Sequence, residues 1–232
     1  MIFVHEVHEV RGTREEEFEA AYRETWMPAL AKGDEGRLLW YCHHAHGSGP
    51  AYNIVTITAL RDGAAWEELA GRFQRGDLRE WARKVDELRH GVRSKLLLQV
   101  PWSPMQDLSL DSVPVDGATH ELSIYMEDTG WPHAAVDDYI AFWEKGYYLP
   151  MRERGVTLLD IQAVFQSAFG SGMHKEAVLM QKITSETGLM RLLTTETPAA
   201  LRAPGQFMYE ALSYRDRWES KLLRTSDWSP LY

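Results

Sequence analysis

The chain places five of its nine histidines within the first 46 residues: His5, His8, His43, His44 and His46. Imidazole near its ordinary pKa can serve as general acid, general base or metal ligand. His44 and His46 stand two apart, so on a strand they project to one side, where Glu6 or His8 could join them around a divalent metal. Tyr41 and His43 alternate with them and project to the other side. Together with His5 they form a polar set among residues otherwise expected in a core. A buried Tyr or His there either has a hydrogen-bond partner or walls a cavity. If a cavity is present, His43 is the candidate proton-transfer group, with Tyr41 and His5 as polar helpers. Trp26, Trp66 and Phe73 would then wall a small apolar or aromatic molecule. The plainer reading makes the histidines half-exposed residues near a hairpin end and the aromatic residues helix core.

Several other chemistries lack their motifs. The sequence has no glycine-rich dinucleotide loop, no Gly-Lys-Ser/Thr phosphate loop and no Gly-x-Ser-x-Gly elbow; Ser48 and Ser171 sit in Gly-Ser-Gly turns. A single cysteine, Cys42, rules out an internal disulfide and a cysteine-based zinc cage. A formal charge of −9 without a basic stripe argues against a nucleic-acid partner or an anionic membrane surface. The first residues do not read as a signal or transit peptide, and no apolar run approaches the ~20 residues of a membrane span. A cytoplasmic protein is the expectation.

These residues must be positioned by a repeated scaffold. Ser94-Lys95-Leu96-Leu97 followed by Trp102-Ser103-Pro104 returns as Ser220-Lys221-Leu222-Leu223 followed by Trp228-Ser229-Pro230, at a constant offset of 126. Trp26-Met27-Pro28 matches Tyr148-Leu149-Pro150, Leu38-Leu39 matches Leu158-Leu159, and His5-Glu6-Val7 is set against His120-Glu121-Leu122. Each copy reads as a strand (2–10 or 120–127) and then a helix with an aromatic stripe that runs into a proline. A hairpin follows (37–46 with 51–60, or 156–166 with 176–184), then a helical region and a closing strand. In copy one the first stripe is Phe18, Tyr22 and Trp26, and Leu78, Trp81, Val85 and Leu88 share a face of the second helical region. The order β-α-β-β-α-β is that of a ferredoxin-like unit. The expected organisation is a first unit at 1–105, a linker at 106–118 and a second unit at 119–232. Each four-stranded antiparallel sheet leaves one face bare, so the two should pack as one α+β barrel with the helices outside.

The Ile2-Phe3-Val4-His5-Glu6-Val7 start and the closing strand that leads into Val100-Pro101-Trp102-Ser103-Pro104 resemble the NIPSNAP family of the dimeric α+β barrel superfamily. There the barrel usually forms from two chains, so the resemblance implies a fused dimer and leaves further pairing into a homodimer open. It also implies a range of activities: cofactor-free monooxygenases, cyclases and isomerases, and haem proteins of the chlorite dismutase type. Ligands in that superfamily commonly lie between sheet and helices.

Carrying strand alternation from copy two to copy one puts Glu6, His8, Trp40, Cys42, His44 and His46 inside the barrel, and His5, Leu39, Tyr41 and His43 towards the helices. Glu121, Tyr125, Asp160 and Gln162 should complete a polar interior. Ile161 and Ala163 are set against Tyr41 and His43, which confines a site to copy one. The leading reading is a cofactor-independent cyclase, isomerase, lyase or monooxygenase working by His/Tyr acid–base chemistry on a small apolar or aromatic substrate. The alternatives are a haem or divalent-metal protein using the clustered histidines, and a non-catalytic ligand-binding or interaction protein.

Overall fold

Along β1 (Ile2–Val10) alternate residues separate into two faces, Phe3 and Val7 packing into one core and Val4 and Val10 into another. That two-sided burial sets the architecture. The computed structural model describes residues 1–155, 158–172 and 174–232. β1 is followed by α1 (Glu15–Ala20), a π-helical stretch at Ala21–Trp26, and α2 (Met27–Ala31). Then come β2 (Gly36–His44), β3 (Asn53–Leu60), α3 (Gly63–Arg75), α4 (Arg79–Leu88) and β4 (Arg89–Gln99). The second half repeats the order with β5 (Ile124–Trp131), α5 (Val136–Trp143), a π-helical stretch at Glu144–Tyr148, α6 (Leu149–Arg154), β6 (Leu159–Ser167), β7 (Ala177–Ile183), α7 (Glu186–Thr194), α8 (Phe207–Glu210) and β8 (Arg217–Thr225). Of the strand expected at 156–166, residues 156 and 157 lie outside the described residues. The strand expected at 120–127 begins later, at Ile124.

The eight strands close into one antiparallel barrel in the order β1-β3-β2-β8-β5-β7-β6-β4. β3, rich in β-branched residues and flanked on both edges, is buried along its whole length. Inside the barrel Phe3, Trp40, Tyr125, Phe165 and Met180 pack together. Outside it, one core joins β1–β3 to α1–α4 and another joins β6 and β7 to α5 and its neighbours. Among the described residues no helix is long and apolar enough to cross a membrane.

A proline is expected to kink or end the helix it stands in, yet the helices that hold Pro28 and Pro150 run on to Ala31 and Arg154. A proline cannot donate to the carbonyl four residues back, and the backbone just before it widens instead. Met27 N–H donates to the Tyr22 carbonyl, and Leu149 N–H donates to the Glu144 carbonyl, each five residues back.

The Trp-Ser-Pro repeats latch the two seams. β2 meets β8 over only Cys42–His44, and β4 meets β6 over only Leu97–Gln99. Beyond each seam the chain crosses to the other half: Tyr41 N–H donates to Ser229 Oγ (3.0 Å), and Val164 N–H donates to Ser103 Oγ (3.1 Å). Trp228 packs on Tyr41 and Trp102 on Tyr148.

Strand register corrects the sequence alignment of the copies. Glu6 lies opposite Ser94 and Asp128 lies opposite Ser220, so Glu6 matches Asp128 and not Glu121, which precedes β5. His5 likewise matches Glu127. The seam pairings match Tyr41 with Val164 and His43 with Gln166, in place of Ile161 and Ala163. The β1 orientation is therefore the reverse of that expected: His5 points into the barrel, while Glu6 and His8 face the helices. On β2, Trp40 and Cys42 point inward as expected and Tyr41 packs on the helices. Leu39 joins the interior because a bulge between Leu38 and Trp40 breaks the alternation. The interior is accordingly more apolar than the expected polar lining.

Candidate functional site

Two adjoining hollows, of about 260 and 300 Å³, lie between β1 and the helices of the first half and share Glu6, Trp26 and Phe73. The first is lined largely by apolar groups, among them Val4, Leu69 and Ala70, with Trp66 beside them, 43% exposed. The second is bordered by Tyr22, Trp81, Val85 and Arg89. The π-helical stretch carries Tyr22 and Trp26 to this face. Trp26 stacks on Trp81, with ring centres 4.9 Å apart, and meets Phe73 at 5.3 Å. Trp81 is fixed in turn by its Nε1–H, which donates to the Ala21 carbonyl.

Glu6 is the ionisable group common to both hollows, with a side chain 23% exposed. Burial raises its carboxyl from an ordinary value of 4.5 to about 7, and the nearby Arg89 guanidinium only partly opposes the shift. A carboxyl that titrates near neutrality can both take and return a proton. Beside it, His8 is fully buried and packs on Phe18 and Tyr22. Arg89 Nη1 donates to His8 Nδ1 at 2.7 Å. Burial and the Arg89 charge hold the imidazole well below its ordinary pKa. A neutral ring that accepts at Nδ1 carries its proton on Nε2, which lies 3.0 Å from Thr56 Oγ1 and 3.2 Å from Tyr22 Oη.

The sequence-selected residues divide. Trp26, Trp66 and Phe73 line the first hollow, whereas His5, Tyr41 and His43 do not border either hollow. His5 donates from Nε2 to Glu127 Oε2 at 2.8 Å inside the barrel. Burial depresses the His5 pKa. Burial alone would raise the Glu127 carboxyl, but its contact with His5 and the Lys221 and Lys95 ammonium groups hold it well below the carboxylate range. Tyr41 is fully buried between Tyr22 and Trp228. His43 bridges α1 and the β8 latch: Nδ1 is 3.1 Å from Glu15 Oε1 and Nε2 is 3.0 Å from Ser226 Oγ. Burial works against ionisation of Glu19, but hydrogen bonds from His43, Ser226 and Trp228 outweigh it and bring the carboxyl down to about 2.

The metal candidates do not converge. Glu6 and His8 face the helices, His44 follows the inward alternation of Trp40 and Cys42, and His46 lies past the end of β2. Among the described residues no group of three or more His, Cys, Asp or Glu is placed to hold an ion.

Sequence reasoning missed Arg89 and assigned Tyr22 to the helix core alone, whereas Trp81, read first as helix core, also had the size to wall an aromatic ligand. Arg89 stands at i+4 from Val85, on the apolar face of α4 where that helix gives way to β4. A charge at that position was the available signal.

Neither a protein-family model nor a curated protein sequence matches the chain. Solved structures do. A “putative monooxygenase” from Lactobacillus acidophilus NCFM covers 96% of this chain and 93% of its own, at 10% identity and a TM-score of 0.59. An anthrone oxidase-like protein covers 97% and 91%, at 8% identity and a TM-score of 0.57. The chain has the dimeric α+β barrel fold. NIPSNAP proteins are among the neighbours of this barrel: a NIPSNAP domain protein from Burkholderia xenovorans covers 45% of this chain and 99% of its own, at 15% identity and a TM-score of 0.38. At these identities the likeness establishes the α+β barrel alone.

Proposed function

We propose that this chain is an acid–base enzyme for a small, flat, largely apolar molecule bound between β1 and the helices of the first half, with Glu6 as the proton-transfer group in place of His43. The observation that carries the reading is a carboxyl titrating at about 7 where two hollows walled by aromatic residues meet. Ionised Glu6 takes a proton from an activated C–H or O–H of the ligand and returns it at another atom. That step is common to isomerisation, cyclisation and elimination. It also generates carbanions that react with dioxygen directly, so the proposed chemistry requires no bound cofactor. The chain further reads as two ferredoxin-like units, 1–105 and 119–232, joined by 106–118. In support, the first-half order β4-β1-β3-β2 recurs as β8-β5-β7-β6.

The anthrone oxidase-like neighbour suggests the first probe. Anthrone and dioxygen yield anthraquinone and water once a ring C–H is deprotonated. Calorimetric binding of 2-naphthol is measured alongside, with Ala70→Phe, which fills the first hollow, as the control. Binding that Ala70→Phe abolishes, with anthraquinone formation that Glu6→Gln removes, is the expected result. Failure of both probes to bind, or binding indifferent to Ala70→Phe, refutes the reading.

A further inference from the structure

A side chain that lines both hollows belongs to the wall dividing them, and Glu6, Trp26 and Phe73 are the three that do. They are not held equally. Glu6 is fixed by the ladders that β1 makes with β3 and β4. Trp26 is buried, lies nearly flat on Trp81 with the ring planes 12° apart, and meets Tyr22 edge-on. Phe73 is only partly buried, leans on Trp26 and Trp81 at 39° and 49°, and has no polar atom to anchor its ring. It stands in the last turn of α3, a helix whose buried residues are Ala65 and Leu69. Phe73 is thus the adjustable part of the wall.

Size selection follows from that position. Each hollow alone is at or near the ~300 Å³ at which ordinary ligand pockets begin, whereas the two joined fall well within their range of about 300–1,000 Å³. Glu6 lies at the junction, so a ligand in one hollow and a ligand spanning both meet the same carboxyl. We propose that Phe73 is the specificity-determining residue of this site, a partition that confines the ligand to one hollow and so to molecules no larger than anthrone. A broader polycycle has to push the ring off its contacts with Trp26 and Trp81, and overpacking of that kind is expected to weaken its binding by about 10- to 100-fold. Truncating the ring joins the hollows and removes that penalty, while it deprives a small ligand of one wall. The inference rests on the pocket reading above and concerns which ligands the pocket admits.

The test compares two phenols by calorimetry on the full chain, 2-naphthol and the four-ring 1-hydroxypyrene. The unmodified protein should prefer naphthol. Phe73→Ala should tighten hydroxypyrene by about 10- to 100-fold and weaken naphthol, inverting the preference. Phe73→Leu keeps more of the packing, should shift both ligands in the same directions by less, and decides the matter if the alanine variant does not fold. Loosened structure alone would weaken both ligands. Leu78→Ala, which loosens the same core without bordering either hollow, should therefore tighten neither. Hydroxypyrene binding that neither Phe73 variant tightens, or that Leu78→Ala tightens equally, overturns this inference and leaves the pocket reading intact. Failure of the unmodified protein to bind naphthol or anthrone overturns both.

Discussion

Glu6 on β1 and Asp128 on β5 occupy matching places, each paired across to the serine of a Ser-Lys-Leu-Leu run, Ser94 or Ser220. Both face helices, and burial raises both, to about 7 and about 6. Around Asp128 protein groups take up the carboxylate. Gln181 Nε2 donates to its carboxylate at 2.8 Å, Ser220 donates to the other oxygen, and Tyr147 donates to Gln181. Where the first half has His8 the second has Gly130, and the Tyr139 hydroxyl occupies the room this leaves: a Cβ on Gly130 would lie 2.6 Å from it. Arg215, which matches Arg89, donates to Tyr139. Around Glu6 there is open volume, and among the described residues no side chain donates a hydrogen bond to the carboxylate. The same scaffold carries a carboxylate whose polar needs are met by protein in one half, and one that faces the hollows of the proposed site in the other.

Exchanging charge for amide in each half tests that contrast most severely. Glu6→Gln should lower turnover of any substrate found by about 10²- to 10⁴-fold, as expected for loss of a general base. Asp128→Asn should leave turnover unchanged; equal losses in steady-state assays would erase the distinction between the halves.

The other matched pair, His5 and Glu127, meets across the barrel. His5→Leu leaves Glu127 with only Lys221 Nζ, at 3.4 Å, and Glu127→Gln takes the counter-charge from Lys221, so each should cost about 1–3 kcal/mol in denaturant unfolding. The double variant His5→Leu/Glu127→Met should recover part of that. A loss below about 1 kcal/mol in either single variant would mean that solvent reaches the pair.

The pH dependence of stability has an opposite sign to the usual carboxylate case. Glu6 titrates at about 7 in the folded protein against an ordinary 4.5, so between those values the folded state holds a proton that the unfolded chain has lost. Its favourable contribution is complete below about 4.5 and disappears as pH rises through 7. Glu6→Gln is therefore expected to raise the melting temperature relative to the unmodified protein by more at pH 8 than at pH 5, even as it removes activity. Equal changes at the two pH values would show that Glu6 is well solvated, and the reverse order that its charge is paired in the folded protein.

The smallest effect concerns the latches. Trp228 Nε1 donates to Glu19, whereas Trp102 Nε1 has no partner among the described residues. Trp228→Phe should cost about 1.5–3 kcal/mol for a hydrogen bond to a carboxylate, and Trp102→Phe distinctly less. Matched losses in thermal unfolding would contradict the asymmetry.

The end motifs made the barrel legible, because Trp-Ser-Pro at a fixed offset reflects a fold contact made twice. The orientation of β1 was not legible. Its polar and apolar residues fit either face, and the His5-Glu6 and His120-Glu121 dipeptides suggested a register seven residues away from the one that hydrogen bonding adopts. On β2 the alternation held from Trp40 onward because the bulge precedes that point. Trp26, Trp66 and Phe73 could be picked out by size and helical spacing. The importance of Glu6 could not, since its raised pKa comes from helices closing over it and from no neighbour in sequence.

The latch at Tyr41 and Ser229 joins residues 188 positions apart. During synthesis at 5–20 residues per second, the outer edge of β2 waits on the order of 10–40 s for its partner strand. Over that interval the nascent first half presents an unpaired strand edge next to a seam built to receive a Trp-Ser-Pro segment. The segment that follows β8 in a neighbouring chain has the same sequence, so on crowded polysomes pairing between chains competes with closure of the barrel. Expression yield should therefore respond to translation rate as well as to the stability of the finished barrel.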